Sequence, residues 1–438
     1  MDQHKTDKIK IGLFAGTLAL GTLVGGLFFL HPTESAREKR KLTPFPAASE
    51  TDFLDGSFFS GIEAWYGDTY PGREFFTSAH HRLQSLWGTS RVESVDKKQG
   101  EDIPTDPDVG DIPDIPDVPE VPTDTDEPAG ETVGGFLLMG DTAYEKYYFS
   151  QETSLQYAAL IGKAQTVLGD GVQVYDLIVP LSYAVNLDEK TQAKYDFTDA
   201  DAATEYMYRA IAKANAKVKT VPVLDALRAH KNEYLYFRTD HHWTQKGAYY
   251  AWCEFCRAAG ITAPKLSEYT DVREFKGFLG TLYAECGEPA AMTKNPDTVE
   301  AYVPRGTNRL TFYDRSGNEQ VYSTGIVQVR TDTIFQNAAS KYNCFIMGDN
   351  PLSVIHNENV AADRVGTKLL LVKESFGNAL APFPVDSYEY VYVIDYRYYD
   401  GTLSSFVTEH GITEVLFVNN LVATGASPRL TELTRFIR

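Results

Sequence analysis

From residue 135 onward, short apolar runs of β type alternate with stretches of helical period. Residues 135–139 and 172–179 read as strands, with an amphipathic helix near 153–168 between them. A helix near 200–216, an apolar run at 221–224 and a helix near 244–259 follow. Runs 368–372, 390–394 and 415–418 then have the length and composition of buried strands. Strands joined by segments this long do not pair as hairpins. They predict an α/β fold, a parallel sheet flanked by helices. The less regular region between carries one hairpin signal, Asp314-Arg-Ser-Gly-Asn318.

The first 134 residues divide by composition. Residues 11–30 hold no charge, and twenty helical residues at about 1.5 Å each span a bilayer core of about 30 Å. The run is longer than a cleaved signal's apolar region and lacks a good cleavage site, so residues 1–31 read as a cytoplasmic tail and transmembrane signal anchor. Lysines and arginines flank both ends, so charge alone leaves the orientation open. Residues 32–95 carry aromatic and aliphatic residues at mixed spacings of three and four, a helical segment expected to pack on the main domain. Residues 96–134 are an Asp/Pro repeat, expected to be an extended, disordered, acidic spacer. Residues 101–131 hold twelve acidic and no basic side chains, so they supply −12 of the net −19. That charge excludes a nucleic-acid binder, which needs clustered Lys and Arg. Four cysteines in 438 residues exclude a disulfide scaffold.

In parallel α/β sheets the chemistry gathers at the carboxyl ends of strands. Three such ends are polar here: Lys373-Glu374-Ser375-Phe376-Gly377-Asn378, Asp395-Tyr396-Arg397, and Asn419-Asn420. A fourth unusual stretch, Thr239-Asp240-His241-His242-Trp243, precedes the helix near 244–259. A carboxylate two residues from a histidine can hold one imidazole nitrogen while the other faces a substrate. A serine hydroxyl needs such a base to become a nucleophile, and an asparagine can stabilise the oxyanion that follows. No metal is expected at the two histidines, because neighbours on a loop point apart and no third ligand stands at a usual spacing. Cys253 and Cys256 read as two small residues buried on one helix face rather than as a redox or zinc pair. Lys373 and Glu374 read as a solvated strand end.

Asp240-His241-His242-Trp243 with the following Thr244-x-x-Gly247-Ala248, and Leu-Leu-Leu-Val-Lys-Glu-Ser375-Phe-Gly-Asn, resemble the DHHW protein family. That family is similar to the alginate O-acetyltransferases AlgJ and AlgX, which have an SGNH-hydrolase-like fold. The blocks at 37–46, 55–59, 71–73, 278–283, 347–350 and 394–399 extend the resemblance over nearly the whole chain, the Asp/Pro spacer apart.

The resemblance implies that residues 135–438 form a circularly permuted SGNH-like catalytic domain, since the serine block follows the Asp/His block. It makes Ser375 the nucleophile, His242 the general base and Asp240 its orienting carboxylate. Asn420, favoured over Asn419, takes the oxyanion position; Phe376, Asn378, Arg397, Trp243 and Asn350 complete the candidate oxyanion and substrate-binding set. The Asp–His spacing of two departs from the three of ordinary SGNH enzymes, and a second oxyanion donor is not evident. The implied activity is O-acetylation of a cell-surface or exported polysaccharide, by a membrane-anchored domain outside the cytoplasm, with no cofactor. A multi-pass membrane acyltransferase would be the partner that supplies the acetyl group. The alternatives are a carbohydrate acetylesterase and a non-catalytic glycan-binding or assembly subunit.

Overall fold

Eight strands pair into one mixed sheet that places the three polar strand ends side by side. In the computed structural model the described residues are 31–35, 40–41, 43–46, 57–72, 93–95, 100–108, 110, 112–113, 135–306, 308–322 and 338–438. They fall into two units, residues 1–88 with 122–131, and residues 89–121 with 132–438.

The sheet lies in the second unit. In chain order its strands are β1 (Gln173–Val179), β2 (Lys219–Thr220), β3 (Asn308–Tyr313), β4 (Glu319–Tyr322), β5 (Leu352–Asn357), β6 (Lys368–Lys373), β7 (Tyr390–Asp395) and β8 (Glu414–Asn420). Their spatial order is β4-β3-β5-β7-β6-β8-β1-β2. The stretch β7-β6-β8-β1-β2 is parallel, as the crossover-length connections require. The other three strands extend it in antiparallel fashion beyond β7. Asp314–Asn318 is the β3–β4 hairpin turn, with Gly317 at φ +77°. The apolar run at 221–224 is not a strand; β2 is two residues long and ends before it. The expected strand at 135–139 also falls elsewhere. Phe136–Met139 pairs with Glu93–Val95 and Thr142–Glu145 in a separate antiparallel sheet.

Leu369–Val372, Val391–Ile394 and Val415–Val418 are almost entirely buried, with Tyr392 at 7 % the most exposed side chain among them. Burial on both faces explains why these strands read as continuous apolar runs instead of alternating ones. Helices α1 (Gln151–Leu168), α2 (Ala200–Ala214), α3 (Gln245–Ala259), α4 (Leu403–His410) and α5 (Ser427–Phe436) supply the remaining core. Helices α1, α2, α4 and α5 pack together, whereas α3 packs with the short helices Leu224–Ala229 and Gly377–Leu380.

Part of the Asp/Pro stretch departs from the expectation of an unpacked spacer. Glu101 N–H donates to Phe149 O at 3.0 Å, and the Glu101 carboxylate accepts from Gln151 N–H at 2.8 Å. Lys213 binds Asp106 at 3.0 Å, and Ile103 and Ile112 lie against the core. The isoleucines that interrupt the repeat give it apolar anchors, and basic side chains of α2 offset its charge.

In the first unit, the helix Ser57–Thr69 buries Trp65, on which His31 stacks at 4.1 Å and Phe45 packs edge-on at 5.0 Å. The apolar run at 11–30 lies outside the described residues. Among the described residues no helix is long and apolar enough to cross a membrane.

Candidate active site

The loop that carries Asp240 is held at both ends by backbone geometry. Phe237 N–H donates to His242 O at 3.2 Å and Thr244 N–H to Leu235 O at 2.8 Å, so residues 235–244 form a closed turn. Thr244 then caps α3, its hydroxyl accepting from Gly247 N–H at 3.3 Å. A Cβ on Gly247 would sit 2.6 Å from Leu235 O, which explains the glycine of the Thr-x-x-Gly segment: the loop and the helix touch there. A buried carboxylate, Asp297, ties down the near side of the turn. Its oxygens accept from the N–H groups of Arg238 and Thr239 at 3.0 and 2.8 Å, from Thr239 Oγ1 at 2.7 Å and from Arg238 Nε at 3.0 Å.

Within this frame Ser375, His242 and Asp240 form one chain of hydrogen bonds. His242 Nε2 lies 2.7 Å from Ser375 Oγ, and His242 Nδ1 lies 2.5 Å from Asp240 Oδ1. Asp240 Oδ1 also accepts from His242 N–H at 3.0 Å, so the two-residue spacing closes an Asx-type turn that presents the ring. Asp240 Oδ2 accepts from Thr281 N–H at 2.8 Å and Thr281 Oγ1 at 3.2 Å. Burial alone would raise the Asp240 pKa. The charges of His242 and His241 and the hydrogen bonds from His242 and Thr281 outweigh that and hold it well below the usual carboxylate range. Asp240 is therefore an anion placed to favour a proton on His242 Nδ1, leaving Nε2 to accept the serine proton.

Ser375 stands half-buried where β6 passes into the one-turn helix Gly377–Leu380. Trp243 is fully buried and donates its indole N–H to Phe376 O at 2.9 Å, fastening the histidine loop to the serine turn. Phe376 is also fully buried and packs on the rings of His242, His241 and Trp243, so it supports the site from within the core. Tyr342 completes the cage. Its ring stacks on His242 at 4.2 Å, and its hydroxyl donates to Ser375 O at 3.0 Å.

Lys373 and Glu374 are 0 % and 3 % exposed, which overturns the reading of a solvated strand end. Lys373 Nζ lies 2.8 Å from Asp395 Oδ2 and 3.1 Å from Asp349 Oδ1. Arg397 binds Asp395 through Nε at 2.8 Å and NH2 at 2.6 Å, and NH2 reaches Asp349 at 3.1 Å. Asn378 donates to Asp349 at 2.8 Å. Two cations and two carboxylates thus neutralise one another below the serine turn. Burial would raise both aspartates, but Arg397 and Lys373 hold them low. The loop delivering Asp349 has Ile346, Met347 and Gly348 in succession at positive φ. For isoleucine that conformation is a strained one, stored beside the site. Arg397 and Asn378 thus belong to a buried ion cluster. Asn350 closes that loop, donating to Ile346 O at 3.3 Å and Met347 O at 3.4 Å.

The two candidate asparagines separate clearly. Asn419 is fully buried, with Oδ1 accepting from Tyr396 OH at 2.7 Å and Nδ2 donating to Tyr157 OH at 3.2 Å. Both ends are engaged in the core, so it is not an oxyanion donor. Asn420 Oδ1 accepts from Val422 and Ala423 N–H at 2.8 and 3.0 Å, while its Nδ2 makes no hydrogen bond among the described residues. Ser375 N–H also makes none among them. A serine N–H and an asparagine amide are the donor types an oxyanion needs.

His241 lies closer to His242 than loop neighbours are expected to lie, with ring centroids 4.0 Å apart. Ligand atoms of Asp240, His241 and His242 fall within 4.8 Å of one another, a group that could hold a metal ion. Each residue already has a partner, His241 Nδ1 lying 2.6 Å from Thr281 Oγ1. Burial and the charge of His242 lower the His241 pKa to about 4. Cys256 is buried and Cys253 half-buried, and burial raises both thiols. Sequence reasoning missed Thr281, Asp297, Tyr342, Glu374 and Asp349 as parts of the site. Thr281, Asp349 and Glu374 lay in blocks that carry the resemblance, Glu374 beside the serine itself; nothing in the sequence marked Asp297 or Tyr342.

The fold and much of the sequence have known counterparts. A DHHW family protein from Eubacterium siraeum is 29 % identical, with a TM-score of 0.58 over 70 % of this chain and 97 % of that one. PatB1 of Bacillus cereus, in a structure with a sulfonyl adduct, is 17 % identical, with a TM-score of 0.53 over 67 % of this chain and 98 % of that one. The O-acetyltransferase domain of Pseudomonas putida AlgJ is 13 % identical at a TM-score of 0.35, over 67 % of this chain and 96 % of that one. No curated protein matches in sequence. The family model for the DHHW protein covers residues 38–115 and 107–394, a span that takes in the turn at 235–244, Asp349, Lys373 and Ser375 and stops just short of Asp395. With its sequence matched over most of its length, the chain belongs to the DHHW family.

Proposed function

We propose that this chain is a serine-type O-acetyltransferase that modifies a cell-surface or exported polysaccharide. The observation that carries the reading is the continuous chain from Ser375 Oγ through His242 to Asp240. A non-catalytic glycan-binding subunit has no use for that alignment. The PatB1 fold supports it, since a sulfonyl adduct has been captured on that protein.

In the first half-reaction His242 Nε2 takes the Ser375 proton as Oγ bonds to the acetyl carbonyl carbon of a donor ester. Asn420 Nδ2 and Ser375 N–H stabilise the oxyanion. The donor's ester C–O bond then breaks, the leaving oxygen receives the proton from His242, and acetyl-Ser375 remains. In the second half, His242 takes a proton from a sugar hydroxyl, whose oxygen attacks the acetyl carbon, and Ser375 leaves with that proton. With water as acceptor the same steps make an esterase. Acetyl-CoA is not found outside the cytoplasm, so a multi-pass membrane acyltransferase supplies the acetyl group. Residues 11–30 anchor the chain, with all that follows on the outer side. In SGNH terms the domain is circularly permuted, the serine strand following the histidine loop.

The test is to incubate the full-length chain, in detergent, with an activated acetyl ester and to follow its intact mass. Addition of one acetyl group, absent in Ser375→Ala and slowed about 10⁴-fold in Asp240→Asn, is the expected result. A parent that stays unmodified, or an equal adduct in Ser375→Ala, rules the assignment out. Release of the adduct by oligosaccharide faster than by water separates transferase from esterase.

A further inference from the structure

Glu374 precedes the serine, yet no step above uses it. Its carboxylate is buried, and it collects three donors from two different strand ends. Oε2 accepts from Phe376 N–H at 3.2 Å and lies 3.1 Å from Ser375 Oγ. Oε1 accepts from Asn420 N–H at 3.0 Å. One side chain thus spans from the turn after β6 to the last residue of β8, the neighbouring strand. The ladder between those strands ends at Lys373 and Val418, so beyond it this carboxylate takes over the pairing.

We infer that Glu374 is a positioning residue that sets the Asn420 amide against Ser375 and so builds the oxyanion site; this rests on the acyl-transfer reading above. Asn420 has its backbone N–H on Glu374 and its Oδ1 on Val422 and Ala423. With those atoms fixed, the direction of Nδ2 is fixed too. The bridge also claims the Phe376 N–H, so that the unpaired donor beside the serine is its own N–H. Finally, the serine's single proton has two acceptors, His242 Nε2 at 2.7 Å and Glu374 Oε2 at 3.1 Å. The shorter contact is the one to the base, and the carboxylate flanks Oγ at longer reach. Preorganised donors of this kind are worth much in rate because nothing has to reorient as charge develops.

Glu374→Gln keeps the shape but offers an NH₂ where one of the N–H groups needs an acceptor, so it breaks one side of the bridge. Two readouts separate positioning from folding. In a rapid-mixing experiment with an activated acetyl ester, burst amplitude counts competent sites and the rate constant reports acylation of each. We expect an amplitude equal to the parent's and a rate constant lower by about 10- to 100-fold, less than the roughly 10²- to 10³-fold of an oxyanion donor removed outright, because the donor is misdirected and not deleted. An acylation rate within twofold of the parent, or a reduced amplitude at unchanged rate, overturns the inference. Amide exchange at Phe376 and Asn420 reads the bridge without any chemistry: it should accelerate in the variant, and unchanged protection overturns the bridge. A parent that takes up no acetyl group defeats the acyl-transfer reading alone, because the exchange rates still judge the bridge. Should Glu374→Gln fail to fold, Glu374→Asp is read in the same way, with both oxygens on a side chain one methylene too short to reach Asn420.

Discussion

Gly280 lies so close to Asp240 that a Cβ on the glycine would stand 2.1 Å from the carboxylate Oδ2 and 2.2 Å from the Asp240 Cβ. Its φ is −90°, so backbone freedom is not what requires glycine here. The requirement is space. Only without a side chain can residue 280 pass near enough for Thr281 N–H to reach Asp240 Oδ2 at 2.8 Å. Gly280→Ala should therefore displace the carboxylate from His242 while leaving every catalytic side chain in the sequence. A misplacement of about 1 Å costs on the order of 10²-fold in rate. Esterase assay of the variant beside a thermal melt checks this; activity near the parent's would mean the Asp240 position does not matter.

Lys373 forms no contact with substrate in the proposed reaction, yet its loss should be severe. The cluster balances two cations against Asp349 and Asp395, and Lys373→Met leaves one uncompensated buried carboxylate. Breaking such a set costs about 3–5 kcal/mol. Chemical denaturation of Lys373→Met should show that loss, and adding Asp349→Asn should recover part of it because the two sites share partners. Equal stability of the single and double variants would argue that the charges are solvated.

Asp176 should give the fold an unusual pH response. It is fully buried on β1, accepts from Tyr157 OH at 2.6 Å, and its Oδ2 has no partner among the described residues. Burial raises its pKa from 3.8 to about 7, although Tyr157 partly opposes this. The folded state thus holds this proton longer than the unfolded one. Its contribution is full below about pH 3.8 and is lost as pH rises through about 7. His241 works the other way in an overlapping window, since its lowered pKa contributes stability that is lost as pH falls toward about 4. Comparison of parent with Asp176→Asn cancels the histidine. The parent should lose stability relative to the variant between pH 4 and 7, by an amount on the order of a few kcal/mol. Parallel pH curves in urea denaturation would refute the buried-carboxylate account.

What was legible in the sequence follows from how local the cause is. The strands β6, β7 and β8 are buried on both faces, so their apolar runs stand out and their polar ends mark the site. β3 is legible only through the hairpin signal at Asp314–Asn318 that ends it: the strand alternates exposed Arg309 with buried Leu310, and an isolated alternation of that kind resembles many loops. The Asp240, His242 and Ser375 assignments came from chemistry and a resemblance. Their supports did not. Thr281 lies 41 residues from Asp240, Asp297 58 from Thr239, and Trp243 133 from Phe376, so no short window of sequence contains any of these three pairs of partners. Lys373 and Glu374 misled because charged residues at a strand end are normally solvated. Here the neighbouring strand ends carry the opposite charges and the waiting N–H groups.

The acidic stretch makes the last case. Helix α1 begins after Ser150, whose side chain makes no capping hydrogen bond. The Gln151 N–H is satisfied instead by the Glu101 carboxylate at 2.8 Å, fifty residues upstream. That places an anion at a helix N-terminus, where both the hydrogen bond and the helix dipole favour it. Glu101→Ala should lower stability by about 1 kcal/mol, whereas Glu101→Gln, which keeps an acceptor oxygen, should lose only a few tenths. Removing residues 98–130 takes away the cap together with Ile103, Ile112 and the Asp106–Lys213 pair, so it should cost more than Glu101→Ala despite the shorter loop. Most of that extra cost should come from Ile103 and Ile112, because an exposed ion pair contributes about 0–1 kcal/mol. Chemical denaturation of the three proteins, with amide exchange followed over the first turn of α1, decides the matter. A deletion as stable as the parent would mean that residues 100–108 merely lie along the domain.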